Sequence, residues 1–282
     1  MQPAPVSASN DAVYFRDGDT AVKWLGTSSG TDVTTVPGGP TTVSSFAVSP
    51  DDNRIAVVVA DLSDPSTISE RMYVEDLRGG GHHVDLFSTR QPIKTATAVW
   101  PMGWHQGALV LAVVPACAYY WWSVTPIEWR VVSASTAGEL ASIHADNCTL
   151  SLYPSPAGVA CVSPAGLATR YDWTGKMVGL AQPPIAGYEL TQASLSPNGS
   201  SILFAPPDYP STYSLSEVQR LPSGPYSDYG NQSCLWIDEE HVLVGNSVME
   251  FAPQTSSHVL VPLKVIPLRM AALCDGRLPG GL

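Results

Sequence analysis

Phe46-Ala47-Val48-Ser49-Pro50-Asp51-Asp52-Asn53-Arg54-Ile55-Ala56-Val57-Val58-Val59 decides how this chain is read. An apolar strand runs into a polar turn, and a second, wholly apolar strand runs out of it. Pro50 cannot donate to a strand ladder, and Asp51, Asp52 and Asn53 make turns through bonds to their own backbone. An apolar run with no polar alternation implies a strand covered on both faces. Ala193-Ser194-Leu195-Ser196-Pro197-Asn198-Gly199-Ser200-Ser201-Ile202-Leu203-Phe204 repeats the pattern. Weaker copies lie at Tyr153 to Val162, Trp104 to Leu111 and Leu235 to Val244, and a degenerate one at Ala272 to Arg277. Aligned on the turn, the six anchors are spaced by about 54, 52, 41, 40 and 36 residues, which suits repeats of four strands arranged as propeller blades.

Each anchor supplies the a and b strands of one blade, and two more strands should follow it. Arg71 to Leu77 and Val84 to Phe87, joined by the turn Arg78 to Gly81, meet that demand for the best copy. Glycines in such a turn supply the positive φ of a tight hairpin. Similar pairs are Trp129 to Ser133 with Glu139 to Ile143, Ala168 to Trp173 with Met177 to Leu180, and Glu250 to Ala252 with Val259 to Leu263. With these residues in view, the chain resembles the TolB-like, WD40-like family of bacterial β-propellers. Their "SPDG … IAF … LYVxDLxGG" pattern is matched best by Ser49 to Gly81, and its first half by Ser196 to Phe204. The resemblance implies a fold only, because that family contains binding proteins, envelope assembly factors and domains attached to peptidases. Blades three, five and six lack its Gly-Gly turn.

The last anchor has one strand, Met270 to Cys274, while the N-terminus opens with three, Ala12 to Arg16, Ala21 to Leu25 and Asp32 to Val36. One plus three completes a blade. The expectation is therefore an all-β, six-bladed propeller over 11–282, closed by N- and C-terminal strands sharing one blade, with 1–10 disordered or a stalk remnant. Closure removes the free edges that template aggregation. A two-sheet sandwich is the alternative, and it needs no regular spacing.

Composition narrows the function classes. The 282 residues are 44% hydrophobic and 14% charged, with 23 glycines and 25 prolines, against roughly 25% charged in an average soluble domain. Fourteen Lys and Arg against 25 Asp and Glu give a formal charge of −11, which repels a phosphate backbone, so nucleic acid is not an expected partner. The apolar run Ala108 to Trp122 is interrupted by Pro115 and is shorter than the roughly 20 residues of a spanning helix. Met1-Gln2-Pro3-Ala4-Pro5 has neither a basic nor an apolar leader region, so the chain is not expected to be an intact secretory precursor, and an upstream signal or anchor stays open.

Cys117, Cys148, Cys161, Cys234 and Cys274 show no CxxC and no Cys/His spacing of a zinc site. Cys117 follows the third-blade b strand and Cys148 precedes the fourth-blade a strand, so a Cys117–Cys148 disulfide is expected. Cys161 reads as core, and a Cys234–Cys274 pairing depends on register. A disulfide would imply an oxidising compartment. His82-His83 after three glycines, and His144 near Asp146, lack the i, i+4 spacing of a helical metal site and read as solvated. Asp51, Asp52 and Asp238 read as turn formers. No GxSxG elbow, phosphate loop or dinucleotide fingerprint occurs, and no cofactor is expected.

In a four-stranded meander the b–c and d–a loops share one face. Tyr119-Tyr120-Trp121-Trp122, Tyr209 and Tyr213 fall in b–c loops, and Tyr226 and Tyr229 in a d–a link. Tyr and Trp deliver large contact area at little rotamer cost and dominate interface hot spots. The same rings stack on sugars, or pack against each other to hold the loops down. Three functions stay open. The first is a non-catalytic extracytoplasmic propeller that binds a protein, peptide or glycan through this face. The second is a hydrolase or lyase with acidic or metal-assisted chemistry in the channel. The third is a structural subunit of an envelope or surface assembly.

Overall fold

The computed structural model describes residues 6–10, 12–25, 30–116, 125–151, 154–181, 192–205, 211–214, 233–236, 241–244, 247–251 and 260–265. Among these the regular elements are 23 strands, and every pairing is antiparallel between neighbours in sequence. The first sheet holds β1 (Val6–Ala8), β2 (Val13–Asp17), β3 (Ala21–Leu25) and β4 (Gly30–Thr35). The second holds β5 (Thr42–Val48), β6 (Arg54–Asp61), β7 (Thr67–Asp76) and β8 (Val84–Pro92), and the third β9 (Thr97–His105), β10 (Ala108–Pro115), β11 (Glu128–Ser133) and β12 (Glu139–His144). The fourth holds β13 (Thr149–Leu150), β14 (Val159–Val162), β15 (Ala168–Tyr171) and β16 (Met177–Ala181). The fifth shows three strands among the described residues, β17 (Gln192–Leu195), β18 (Ser201–Ala205) and β19 (Ser211–Ser214), and the sixth four, β20 (Ser233–Trp236), β21 (His241–Val244), β22 (Ser247–Phe251) and β23 (Leu260–Val265).

The chain divides into two compact units, the first running to Ser142 and the second from Ile143. Within the first unit, β6 explains its own composition. Ile55, Val57 and Val59 pack with Tyr14, Val22 and Phe46 in a core between the first and second sheets. Ala56 and Val58 point the other way, into a core with Trp104, Leu109 and Val132 of the third sheet. A strand covered on both faces has no place for the polar half of an alternating pattern, and each buried Val or Ile contributes about 1.5–3 kcal/mol over its exposed state. Trp104 joins the same two sheets by donating its indole N–H to the Ala47 carbonyl at 3.1 Å.

The repeated turn has one geometry in both units. The Asp52 N–H donates to the Ser49 carbonyl at 3.0 Å, and the Ser49 hydroxyl to Asp51 Oδ1 at 2.6 Å. In the second unit the Gly199 N–H donates to the Ser196 carbonyl at 2.8 Å, and the Ser196 hydroxyl to Asn198 Oδ1 at 3.0 Å. The fourth position takes positive φ in each, 59° at Asp52 and 69° at Gly199. Ser155 ties the fourth sheet to the fifth by donating its hydroxyl to the Ser196 carbonyl at 2.8 Å.

The first sheet departs from expectation. Val6–Ala8, expected as stalk, is β1 and pairs with β2, the place expected for Met270 to Cys274. Ser7 is fully buried, and its hydroxyl accepts the Val48 N–H at 2.8 Å, so this short segment is held by β5 as well as by β2. The sharing of one blade by both termini is corrected to that extent. Residues 270–274 lie outside the described residues.

Candidate functional site

In the first unit the b–c and d–a connections do emerge at one end of the second and third sheets. The Leu62 N–H donates to the Thr41 carbonyl at 2.8 Å, Ile93 to Ser66 at 2.9 Å, and Ala116 to Ala96 at 2.9 Å, which laces these segments together. Ala60, Ile68, Ala96, Ala98, Val114 and Ala116 form a small apolar core beneath them. Asp64, in the β6–β7 connection, accepts from the Ser66 hydroxyl and N–H and from the Thr67 hydroxyl, which together hold its carboxyl down at about 2. The connection that carries the aromatic run leaves this end at Ala116 and returns at Thr125, and Ile127 just beyond it is 43% exposed.

Of the residues expected to bind a partner, Tyr119, Tyr120, Trp121, Trp122, Tyr209, Tyr226 and Tyr229 lie outside the described residues, as does Cys117. Tyr213 falls in β19, opposite Ile202 of β18, and nothing is described of its side chain. Cys148 is bonded to Cys161, with Cα atoms 5.5 Å apart, and not to Cys117. The correction has a simple cause. β13 and β14 pair within one sheet with Leu150 opposite Cys161, so the residue two positions before Leu150 meets β14 before it can meet a neighbouring sheet. Cys161 is still fully buried, so it is at once core and half of a crosslink.

The opposite end of the first unit carries the a–b and c–d turns. The Tyr14 hydroxyl donates to Asp52 Oδ1 at 2.8 Å, and burial first, then Asp52, pushes that phenol up to about 12. The Arg78 guanidinium donates to the Asp52 carbonyl at 3.4 Å and the Leu77 N–H to the Asn53 carbonyl at 2.8 Å. The hydroxyl of Ser49, followed by Asn53, holds Asp51 below the usual carboxylate range. These acidic residues are turn formers, as the sequence implied. In the same β7–β8 turn, His82 and His83 sit against Asp76, Glu75 and Asp85, a cluster that helical metal-site spacing had no means of detecting. Glu128, nearly buried, takes both Arg130 Nε and Nη2 at 2.6 and 2.8 Å. Among the described residues no group of three or more His, Cys, Asp or Glu is arranged to hold a metal ion, and no helix is long and apolar enough to cross a membrane.

No family model matches the chain, and no curated protein matches it significantly. Solved structures do. An oligogalacturonate lyase from Vibrio parahaemolyticus aligns over 88% of this chain and 74% of its own, with TM-score 0.52 and 9% identity. A chain of the mitotic checkpoint complex aligns over 94% and 80%, with TM-score 0.53 and 11% identity. Hsv2 of Kluyveromyces lactis aligns over 93% and 98%, with TM-score 0.48 and 10% identity. At such identities the first two likenesses speak for the fold alone. Taken with the four-stranded antiparallel sheets, they support an all-β, β-propeller fold for this chain.

Proposed function

We propose that this chain is a six-bladed, non-catalytic propeller working outside the cytoplasm, which binds a protein, peptide or glycan through its b–c and d–a loops. Tyr119, Tyr120, Trp121 and Trp122 form the centre of that face, with Tyr209, Tyr213, Tyr226 and Tyr229 as outer contacts. The observation that carries the reading is the laced end of the second and third sheets, from which the Tyr119–Trp122 connection departs. The small core at this end is already filled by Ala60, Ile68, Ala96, Ala98, Val114 and Ala116, with Val43, Leu62, Ile93 and Trp100 packed against it. Four consecutive aromatic residues on such a base favour an outside partner, because leaving them in water is costly. The Cys148–Cys161 disulfide supports an oxidising compartment, and hence an extracytoplasmic site.

The fold does not choose between binding and catalysis, since one structural neighbour is a lyase and another belongs to a protein complex. The aromatic loop chemistry supports binding. Screening the intact chain on glycan and peptide arrays, beside a variant with Tyr119, Tyr120, Trp121 and Trp122 replaced by alanine, tests it. The reading expects a ligand retained by the wild type and lost by the variant at an unchanged melting temperature. A variant that melts far lower, or that keeps the ligand, removes this face from the function.

A further inference from the structure

The β7–β8 hairpin ends in two acid–imidazole pairs. Register places Tyr73 opposite Asp85 and Val74 opposite Val84, and beyond that pair Glu75 and Asp76 lead into the turn that returns through His82 and His83. Glu75 and Asp76 are successive residues of β7 and so point to opposite faces of the hairpin. The Nδ1 of His82 lies 2.8 Å from Asp76 Oδ2. His83 is held more fully. Its Nδ1 is 2.7 Å from Glu75 Oε2, its Nε2 is 3.2 Å from Asp85 Oδ1, and its ring stacks on Tyr73 with centroids 4.7 Å apart. The Arg71 guanidinium lies over the same Tyr73 ring at 5.7 Å.

A neutral imidazole has one N–H and can donate to one acceptor only, whereas both ring nitrogens of His83 face carboxylate oxygens that only accept. We infer that His83 is held as an imidazolium and that the β7–β8 hairpin is a proton-dependent clasp, fastened when His83 carries two protons and released when it loses one. The charged and titratable groups around it are Arg71, Tyr73, Glu75 and Asp76 from β7, Arg54 of β6 in register with Asp76, Arg78 and His82 from the turn, and Asp85 from β8. Glu75 first, then Asp85, raise the His83 pKa above the ordinary imidazole value. A raised value means that the clasp is complete below the ordinary imidazole pKa and is lost as pH rises through the higher, folded-state value.

The clasp reaches beyond its own hairpin. The turn it closes carries Leu77 and Arg78, which bond the Asn53 and Asp52 carbonyls of the β5–β6 turn, and Asp52 in turn receives the Tyr14 hydroxyl from the first sheet. Proton loss at His83 therefore loosens a tie that spans the first two sheets, at the end opposite the aromatic connection.

Two readouts on the full chain test the clasp. An NMR titration of the imidazole Cε1–H signals, with His83 identified by comparison with His83→Gln, should place its midpoint above that of an ordinary histidine. Glu75→Gln and Asp85→Asn should each move it back down. Hydrogen exchange should show the Asp76 amide, which donates to the Gly81 carbonyl at 2.8 Å, losing protection across the His83 midpoint after correction for intrinsic exchange. In His83→Gln that protection should not change with pH. A His83 midpoint at or below the ordinary value, or wild-type protection that does not vary with pH, overturns the clasp.

Discussion

Gly158 shows how far single residues constrain this chain. It holds φ at 124°, and a Cβ built there would collide with the Tyr171 carbonyl oxygen, which sits in the neighbouring strand β15. Neither the backbone angle nor the space admits a side chain, so Gly158→Ala should destabilise the protein by about 1–3 kcal/mol from strain alone, read as a lower denaturation midpoint at unchanged slope. An unchanged midpoint would mean that the β14 entry is built differently. At this scale the sequence was legible where side chains act on their own backbone. The Ser-Pro-Asp and Ser-Pro-Asn turns at 49 and 196 repeat bond for bond, because each rests on residues within four positions of one another. The His83 cluster was not legible, because its members meet only when two strands pair in one particular register.

Among the elements, β6 and β10 were readable from their unbroken apolar runs, and β7, β8, β11 and β12 from their place after an anchor. The first strand was not. Val6–Ala8 is three residues long between a proline-containing stretch and a polar one, and it is held by the Val48 N–H donating to the Ser7 hydroxyl across 41 positions, which no local pattern records. Deleting residues 1–9 should therefore lower stability. The orphaned Val48 N–H alone costs about 1–3 kcal/mol, and β2 loses its ladder partner. A truncated chain with the wild-type melting temperature would restore the stalk. The disulfide departs from the expected Cys117–Cys148 pairing for a related reason, since β13 and β14 bring Cys148 to Cys161 within one sheet rather than between blades. Mass mapping of a non-reduced digest should yield a Cys148–Cys161 peptide, and Cys161→Ala should cost about 3 kcal/mol, the value for closing a loop of this length. A peptide linking Cys148 to Cys117 would contradict the strand pairing.

For the whole molecule, a 40-to-50-residue period was enough to announce repeated four-stranded sheets, and the likeness to two propeller-type structures at TM-scores of 0.52 and 0.53 agrees with it. Function is less legible at this scale because the scaffold is shared by proteins with different work, and what distinguishes them resides in loops whose conformation no period specifies. The proposal that Tyr119 to Trp122 present a partner-binding face depends on how those rings meet solvent. Hydroxyl-radical footprinting of the intact chain, read by mass spectrometry, measures this directly, with buried Trp104 and Trp129, 3% and 0% exposed, as internal references. The proposal predicts that Trp121 and Trp122 oxidise far faster than both references; oxidation as slow as theirs would show the rings to be core of the third sheet and contradict the binding face.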